Sequence, residues 1–226
     1  NSCRNTFRRN YARLSGDGFF LAGMAPGQSE GEFDPCGCNE NLFEGNDASV
    51  SPNIAFEATF SRKNIFRGNL ANRCNYGFWL GFSTENLVEE NVILGNQCAG
   101  MAVDNGVGMR VSRNLFQDNQ HGILLWSKHV QGFEVSAPEN DTSRDWLVAR
   151  NNFHSNRVAV RIAANQDHGI QPLPESGEMG FPAPSPRNHT FVGNQFLNNG
   201  RDFDLQGDTY TTVQNETPPS RLESGS

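Results

Sequence analysis

Residues 64–69 read Asn64-Ile-Phe66-Arg-Gly-Asn69, and this six-residue frame decides the fold because it recurs along the chain. The general form is Asn-x-(Phe or Ile)-x-x-Asn, and its seven copies begin at Asn5, Asn41, Asn64, Asn91, Asn114, Asn151 and Asn194. Successive copies are 36, 23, 27, 23, 37 and 43 residues apart, so insertions lengthen a basic period near 23. This period is too short for a helix pair and too long for a hairpin, but it suits one coil of a β-solenoid.

A second segment follows each frame, and its apolar residues alternate as in a strand with one buried face. The alternating pairs are Phe19/Leu21, Ile54/Phe56, Phe78/Leu80, Met101/Val103, Ile123/Leu125, Val160/Ile162 and Phe203/Leu205. Coils stacked at the usual strand spacing of roughly 4.8 Å would pair each strand in parallel with its copies above and below. The sequence therefore predicts an all-β solenoid of about seven coils with loop insertions.

The repeated asparagines have a structural interpretation. An Asn at a turn tolerates positive φ and bonds its own backbone, and stacked Asn side chains can pass amide hydrogen bonds from coil to coil. The third residue of each frame is expected to join one apolar stack inside the coils. Its members are Phe7, Phe43, Phe66, Ile93, Phe116, Phe153 and Phe196.

Composition limits the functions open to the chain. Its 226 residues carry 18 Lys plus Arg against 25 Asp plus Glu, a net charge of −7, which disfavours binding to nucleic acid. No apolar run approaches the roughly 18 residues of a membrane span. We expect one β-helix domain over residues 1–207 and a partly disordered extension over 208–226. Because the chain opens inside a repeat, further N-terminal coils or a partner are expected to cover the first coil.

The frame and the strand after it, often Gly followed by alternating apolar residues as at Gly77 and Gly122, resemble the pectin-lyase-like superfamily. The resemblance covers residues 1–207 and is to the group of carbohydrate-binding and sugar-hydrolase repeats. It implies a right-handed parallel β-helix. Such families include polysaccharide lyases, glycoside hydrolases, uronate epimerases and periplasmic copper-related proteins of nitrous oxide reductase assembly. The chain lacks the closely spaced aspartates of polygalacturonases and the Asp-Pro-His-Asp signature of alginate epimerases, so no catalytic motif is carried over.

Residues that point outward from the alternating strands predict a polysaccharide-binding groove. Insertions at residues 24–38, 128–146 and 165–187 are expected to wall its two ends and leave coils 2 to 4 bare. Aromatic faces interrupted by polar groups are typical of sugar sites. The predicted substrate-binding residues are Phe20, Trp79, Asn105, Trp126, Lys128, His129 and His168.

Two acidic residues suggest a hydrolase. Glu57 and Asp104 are placed on one column two coils apart, a backbone separation of roughly 9.6 Å, which fits an inverting glycosidase better than a retaining one. The sequence leaves open which of the two is the acid, and the apolar neighbours of Glu57 favour this residue as the one with the raised pKa. Solvated surface acids would show the same pattern.

Two other functions remain open. A polysaccharide lyase acting on uronates by β-elimination would use Arg161 as the carboxylate clamp, with Lys128 and His129 nearby. A noncatalytic β-helix would bind a glycan or form a structural arm of a larger secreted protein. The five histidines have no metal-binding spacing, so no copper site or other cofactor is predicted. Calcium binding by Asp104, Asn105 or nearby acids stays open as an alternative, although no motif supports it.

The cysteines bear on location. Cys74 with Cys98 and Cys3 with Cys38 fall at matching places in adjacent coils, within reach of disulfide geometry. Oxidised pairs would indicate export, whereas small buried thiols would be structural. Together with the resemblance, this predicts a secreted or periplasmic protein.

Overall fold

The computed structural model describes residues 2–21, 37–130, 133, 137–167, 171–172, 183–207 and 210–214. Its strands form three parallel sheets and one short hairpin. The eight-stranded sheet contains Thr6–Arg8 (β1), Leu42–Glu44 (β3), Ile65–Arg67 (β5), Leu87–Glu89 (β7), Arg110–Ser112 (β10), Leu147–Ala149 (β13), Thr190–Val192 (β18) and Thr212–Gln214 (β21). The seven-stranded sheet contains Asp17–Leu21 (β2), Ile54–Ala58 (β4), Tyr76–Trp79 (β6), Ala99–Asp104 (β9), His121–Ser127 (β12), Val158–Ala164 (β15) and Arg201–Gln206 (β20).

The remaining strands complete the coil. The four-stranded sheet contains Val92–Leu94 (β8), Leu115–Gln117 (β11), Asn152–His154 (β14) and Gln195–Leu197 (β19), and the hairpin pairs Gln166–Asp167 (β16) with Gln171–Pro172 (β17). Every strand of the three large sheets pairs in parallel with its copies in the neighbouring coils. The predicted right-handed parallel β-helix is therefore confirmed. The eight-stranded sheet runs past residue 207, because β21 pairs with β18.

The apolar residues of the seven frames form two stacks, not the one stack predicted. Phe7, Phe43 and Phe66 stack in the eight-stranded sheet with centroids 4.8 and 5.0 Å apart. The next member of that stack is Val88, while the later frames lie in the four-stranded sheet, with Phe116 4.9 Å from Phe153. Val88 belongs to a further copy of the frame, Asn86 to Asn91, which a pattern restricted to Phe or Ile does not detect.

The second coil differs from the predicted register by two residues. Phe19 pairs with Phe56 and Leu21 with Ala58, so the inward pair is Phe56/Ala58. Ile54 lies outside the coil, in contact with the cluster that contains Tyr76. Three apolar residues alternate in this strand, and the sequence pattern alone admits either pair.

Three asparagine ladders run along the coils, as the amide interpretation predicted. In the longest, the backbone N–H of each Asn donates to the Oδ1 of the Asn on the next coil at 2.8–3.0 Å. Its members are Asn10, Asn46, Asn69, Asn91, Asn114, Asn151 and Asn194. Buried amides are thus satisfied from one coil to the next.

Positive φ belongs to the residue before each ladder asparagine, which corrects the predicted role of Asn at the turn. Arg113 (φ 56) precedes Asn114, and Asp118 (φ 55) precedes Asn119. Similar residues align from coil to coil at each corner. One such column, identified by N–H to carbonyl bonds between coils, contains Val50, Arg73, Gly95, Asp118, Ser155 and Asn198.

Candidate functional site

The outer face of the seven-stranded sheet carries the candidate site. Parallel register places Phe20 opposite Glu57, and Glu57 opposite Trp79, on three successive coils. The Phe20 side chain is 59% exposed, while Glu57 and Trp79 are partly buried. We call these three residues the Phe20–Trp79 patch. A carboxyl between two aromatic side chains can accept hydrogen bonds from sugar hydroxyls while the rings stack on a sugar face.

Glu57 is a perturbed acid. Burial, together with a smaller effect from the charge of Asp17, raises the pKa of its carboxyl from 4.5 to about 7. No residue in the described part of the chain is seen donating a hydrogen bond to this carboxyl. The raised pKa agrees with the sequence analysis, but Asp17 was missed, because its proximity depends on the register between β2 and β4.

Asp104 does not share a column with Glu57, so the predicted alignment of these two carboxyls is wrong. Glu57 aligns through Trp79 with Ala102, and Asp104 lies two residues further along the strand. Two coils and two residues separate the two backbones by about 12 Å at ordinary strand spacings. This exceeds the roughly 9.6 Å expected, and it follows from the two-residue difference in register at the second coil.

Asp104 is also held in a buried ion pair. The residue is 4% exposed, and its Oδ2 lies 2.9 Å from the Nζ of Lys128. Its Oδ1 is buried and has no hydrogen-bond partner among the residues that the structure describes. A Cβ at position 81 would lie 2.0 Å from this oxygen, so Gly81 is the residue that leaves space for the carboxylate.

Asn105 anchors the insertion that follows β12. Its Nδ2 donates to the carbonyls of Lys128 and Asn140 at 2.9 Å, and its Oδ1 accepts from the Lys128 N–H at 2.9 Å. Asn105 is 1% exposed. The side chain therefore fixes backbone in this structure, where the sequence analysis expected it to contact substrate.

Trp126 is fully buried, although the sequence analysis placed it on a surface column. Its ring packs edge-to-face on Trp79, with centroids 5.4 Å apart, and Tyr76 contacts Trp79 in the same way at 4.9 Å. These rings belong to a second apolar cluster outside the coil, with Ala102 and Leu124. Many of the side chains that point outward from the seven-stranded sheet are thus buried in this second cluster. Of Trp79 and Trp126, it is Trp79 that reaches the surface.

The coil-5 insertion covers part of the section predicted to be bare. Phe133 packs edge-to-face against Phe60 and Phe82, with centroids 5.1 and 4.9 Å away. Asn140 donates to the carbonyls of Ser83 and Asn105. Residues of this insertion therefore lie over the ends of coils 2 to 4, so it does not simply wall one end of a groove.

The predicted basic residues are dispersed. Arg161 forms an ion pair with Asp204, and the positive charge of Arg161 contributes, after burial, to lowering the pKa of His121. His129 is partly buried next to Lys128 in the chain, and His168 lies outside the described residues. The structure therefore does not gather Arg161 and Lys128 around one point: Lys128 is paired with Asp104.

A family model described as periplasmic copper-binding protein (NosD) matches residues 1–172. The chain belongs to the NosD family. Comparison with curated proteins and with solved structures finds no significant match. The family's description as periplasmic confirms the predicted location. No helix in the described part of the chain is long and apolar enough to cross a bilayer.

The NosD family is described as copper-binding, which stands against the expectation of no cofactor. Within the described residues of this NosD-family chain, no three His, Cys, Asp or Glu side chains come together as metal ligands. The Nδ1 of His121 is engaged with the Cys98 carbonyl at 2.9 Å, and Cys74 Sγ contacts the carbonyls of Ala48 and Asn72. Copper prefers grouped imidazole and sulfur donors, so the described residues do not fit a copper site.

Of the two alternatives for the cysteines, disulfide pairs and free thiols, the structure favours thiols. Among the described residues, Cys3, Cys74 and Cys98 are free thiols, so neither of the two suggested pairs, Cys3 with Cys38 and Cys74 with Cys98, forms a disulfide in this structure. Burial raises the pKa of the Cys74 thiol, as expected for a structural cysteine in a coil interior.

Proposed function

We propose that this chain is a noncatalytic periplasmic β-helix that binds a glycan at the Phe20–Trp79 patch. The observation that carries the proposal is the alignment of Phe20, Glu57 and Trp79 on three successive coils. Aromatic faces bind the C–H faces of sugar rings, and a carboxyl between them is placed to accept hydroxyl donors. The exposed ring of Phe20 makes the patch accessible at one end.

The contacts of the other predicted residues favour binding over turnover. Hydrolysis with inversion needs a second carboxyl that can reach a water molecule beside the glycosidic bond. Asp104 is 4% exposed and paired with Lys128, so it is poorly placed for that role. Elimination needs a cation free to clamp a uronate, and Arg161 is already paired with Asp204.

The test is binding to a panel of polysaccharides and oligosaccharides by isothermal titration calorimetry. Trp79→Ala and Phe20→Ala should each weaken binding by about 10-fold to 100-fold, the usual cost of an aromatic anchor. Tyr11→Ala is the matched control, because Tyr11 is 83% exposed and lies outside the patch. Its affinity should equal that of the unmodified chain.

The same panel decides between binding and catalysis. Incubated glycans would be assayed for new reducing ends and for the ultraviolet absorbance of unsaturated uronates. No product is expected. Reducing ends that disappear in Glu57→Gln would replace this proposal with a hydrolase, because a carboxyl with a pKa near 7 suits a general acid. If Trp79→Ala and Phe20→Ala both bind the glycan as tightly as the unmodified chain does, the Phe20–Trp79 patch is not the glycan-binding site.

A further inference from the structure

A groove separate from the Phe20–Trp79 patch lies at a corner of the coil. Its volume is about 330 Å³, within the range of small-molecule sites. Leu70 and Leu94 contribute apolar surface, Arg13 and Arg73 contribute positive charge, and Asp118 lies at the far side. The groove opens at the corner column of left-handed residues described above.

Gly95 creates the opening. In this column the backbone N–H of Arg73 donates to the Leu94 carbonyl, next to Gly95. The N–H of Gly95 in turn donates to the Gln117 carbonyl, next to Asp118. Arg73 and Asp118 are therefore two coils apart, with backbones separated by about 9.6 Å. Gly95 has φ +64 and no side chain, and a Cβ built there would lie 3.8 Å from Arg73 Cγ. A gap one coil wide thus separates a cation from an anion.

Arg73 is the cation available to a ligand. Among the described residues its guanidinium has no ion-pair partner, and its side chain is exposed. Asp47 also lines the groove, and its carboxylate is already engaged, since its Oδ1 accepts from Ser49 N–H at 3.0 Å and its Oδ2 lies 3.6 Å from Arg13. Arg73 and Asp118 do not pair with each other within the described part of the chain, because the Gly95 coil holds them apart.

We propose that this groove binds a small carboxylate that carries hydrogen-bond donors on its opposite side. The carboxylate contacts Arg73, whose planar fork binds two oxygens at once. The body of the ligand lies over Gly95 and packs against Leu70 and Leu94. Its hydroxyl or ammonium donors reach Asp118. A uronic acid and a free amino acid both have this chemistry.

The chain contains a close internal control for the two residues that carry the proposal. Gly193 also has φ +64, and its Cβ would lie 3.7 Å from Arg150 Cγ. Arg150 is exposed, like Arg73. Neither Arg150 nor Gly193 lines the groove. Equivalent substitutions at the two corners therefore change the same local geometry, but only one of them changes the groove.

The experiment titrates the chain with galacturonate, with neutral galactose and with leucine, using calorimetry and chemical-shift mapping. Galacturonate or leucine should bind, and galactose should not. Whichever of the two carboxylates binds shows whether the ligand of the groove is a uronic acid or an amino acid. Arg73→Ala should weaken binding at least about tenfold. Gly95→Asn should do the same by filling the gap, because Asn tolerates positive φ.

The controls and the opposing results are equally specific. Arg150→Ala and Gly193→Asn should bind as the unmodified chain does, and circular dichroism should show all four variants folded. The proposal is overturned if neither carboxylate binds at millimolar concentration, or if galactose binds as well as galacturonate. Unchanged affinity in Arg73→Ala overturns it as well.

Discussion

At Asn114 a single buried side chain joins three coils. Its Nδ2 donates to the Val88 carbonyl on the preceding coil and to Asn151 Oδ1 on the following one. Its Oδ1 accepts both the backbone N–H and the side-chain N–H of Asn91. The residue is 1% exposed, so water cannot replace any of these bonds. An asparagine side chain both donates and accepts hydrogen bonds without a charge, which neither a hydrophobic residue nor a charged residue can do at this buried position.

Asn114→Ala should therefore destabilise the protein by at least about 3 kcal/mol, because several buried polar groups lose their partners together. Urea denaturation followed by circular dichroism measures the effect. Asn114→Asp keeps the acceptor but loses both N–H donors, and should be similarly damaging at neutral pH. Asn152→Ala, at an exposed strand position, should change stability by less than about 0.5 kcal/mol. An Asn114→Ala variant as stable as the unmodified chain would contradict the ladder's importance.

At the scale of the element, register decides which side chains meet. The sequence pattern identifies the strand around residues 54–58, but Ile54, Phe56 and Ala58 alternate without a break, so two registers with the neighbouring coils would each bury an apolar pair. The parallel ladder removes the ambiguity by pairing Phe56 with Phe19 and Phe78. This places Glu57 beside Trp79 and moves it away from Asp104. A site that depends on two coils cannot be located by alternation within one strand.

The coil-5 insertion offers a test of packing between elements. Phe133→Ala removes two edge-to-face contacts, with Phe60 and Phe82, each worth about 0.5–1.5 kcal/mol beyond its buried area. Limited proteolysis read by mass spectrometry should then cleave residues 128–146 about tenfold faster, while the melting temperature of the coils changes little. Phe20→Ala is the control, and its cleavage pattern should match the unmodified chain. Equal rates in the two variants would mean that Phe133 does not hold the insertion.

At the scale of the whole molecule, the fold could be predicted because repetition tests it many times. One frame is weak, but recurrence of Asn at a fixed spacing leaves few architectures that bury so many amides. The candidate site had no such redundancy. The burial of Trp126 and the pairing of Asp104 with Lys128 depend on apolar contacts outside the coil and on an insertion, and no periodic pattern in the sequence records them.

The half-buried Glu57 and the buried His189 should make the stability of the protein depend on pH in opposite directions. The pKa of Glu57 is raised by burial to about 7, so protonation in the folded state adds stability as pH falls from 7 toward 4.5. Burial lowers the pKa of His189 to about 4, so protonation of the unfolded chain removes stability as pH falls from 6.5 toward 4. A variant that removes one of these two groups should therefore show the effect of the other group on the pH dependence of stability.

Urea denaturation at a series of pH values separates the two. Glu57→Gln should lose stability more steeply than the unmodified chain between pH 7 and pH 5, because the opposing contribution of Glu57 is gone while the buried histidines His189 and His121, whose pKa values are lowered, remain. His189→Phe should lose it less steeply. His129→Phe is the control for exchanging an imidazole for a phenyl ring at a less buried position than that of His189. Parallel curves for Glu57→Gln and the unmodified chain would show that Glu57 does not titrate in this range.

The ladders also govern how the chain can change in length over evolution. Each ladder amide reaches one coil back and one coil forward, with steps of 22 or 23 residues where no insertion intervenes. When a whole coil is gained or lost, each ladder asparagine still has an asparagine on the next coil to bond with. When a few residues are inserted inside a coil, the asparagines of all three ladders no longer align with those of the neighbouring coils. Shorter additions are tolerated only outside the coil, between one corner and the next strand. Lineages of such proteins should therefore differ in length by coils or by loops, and seldom by anything between.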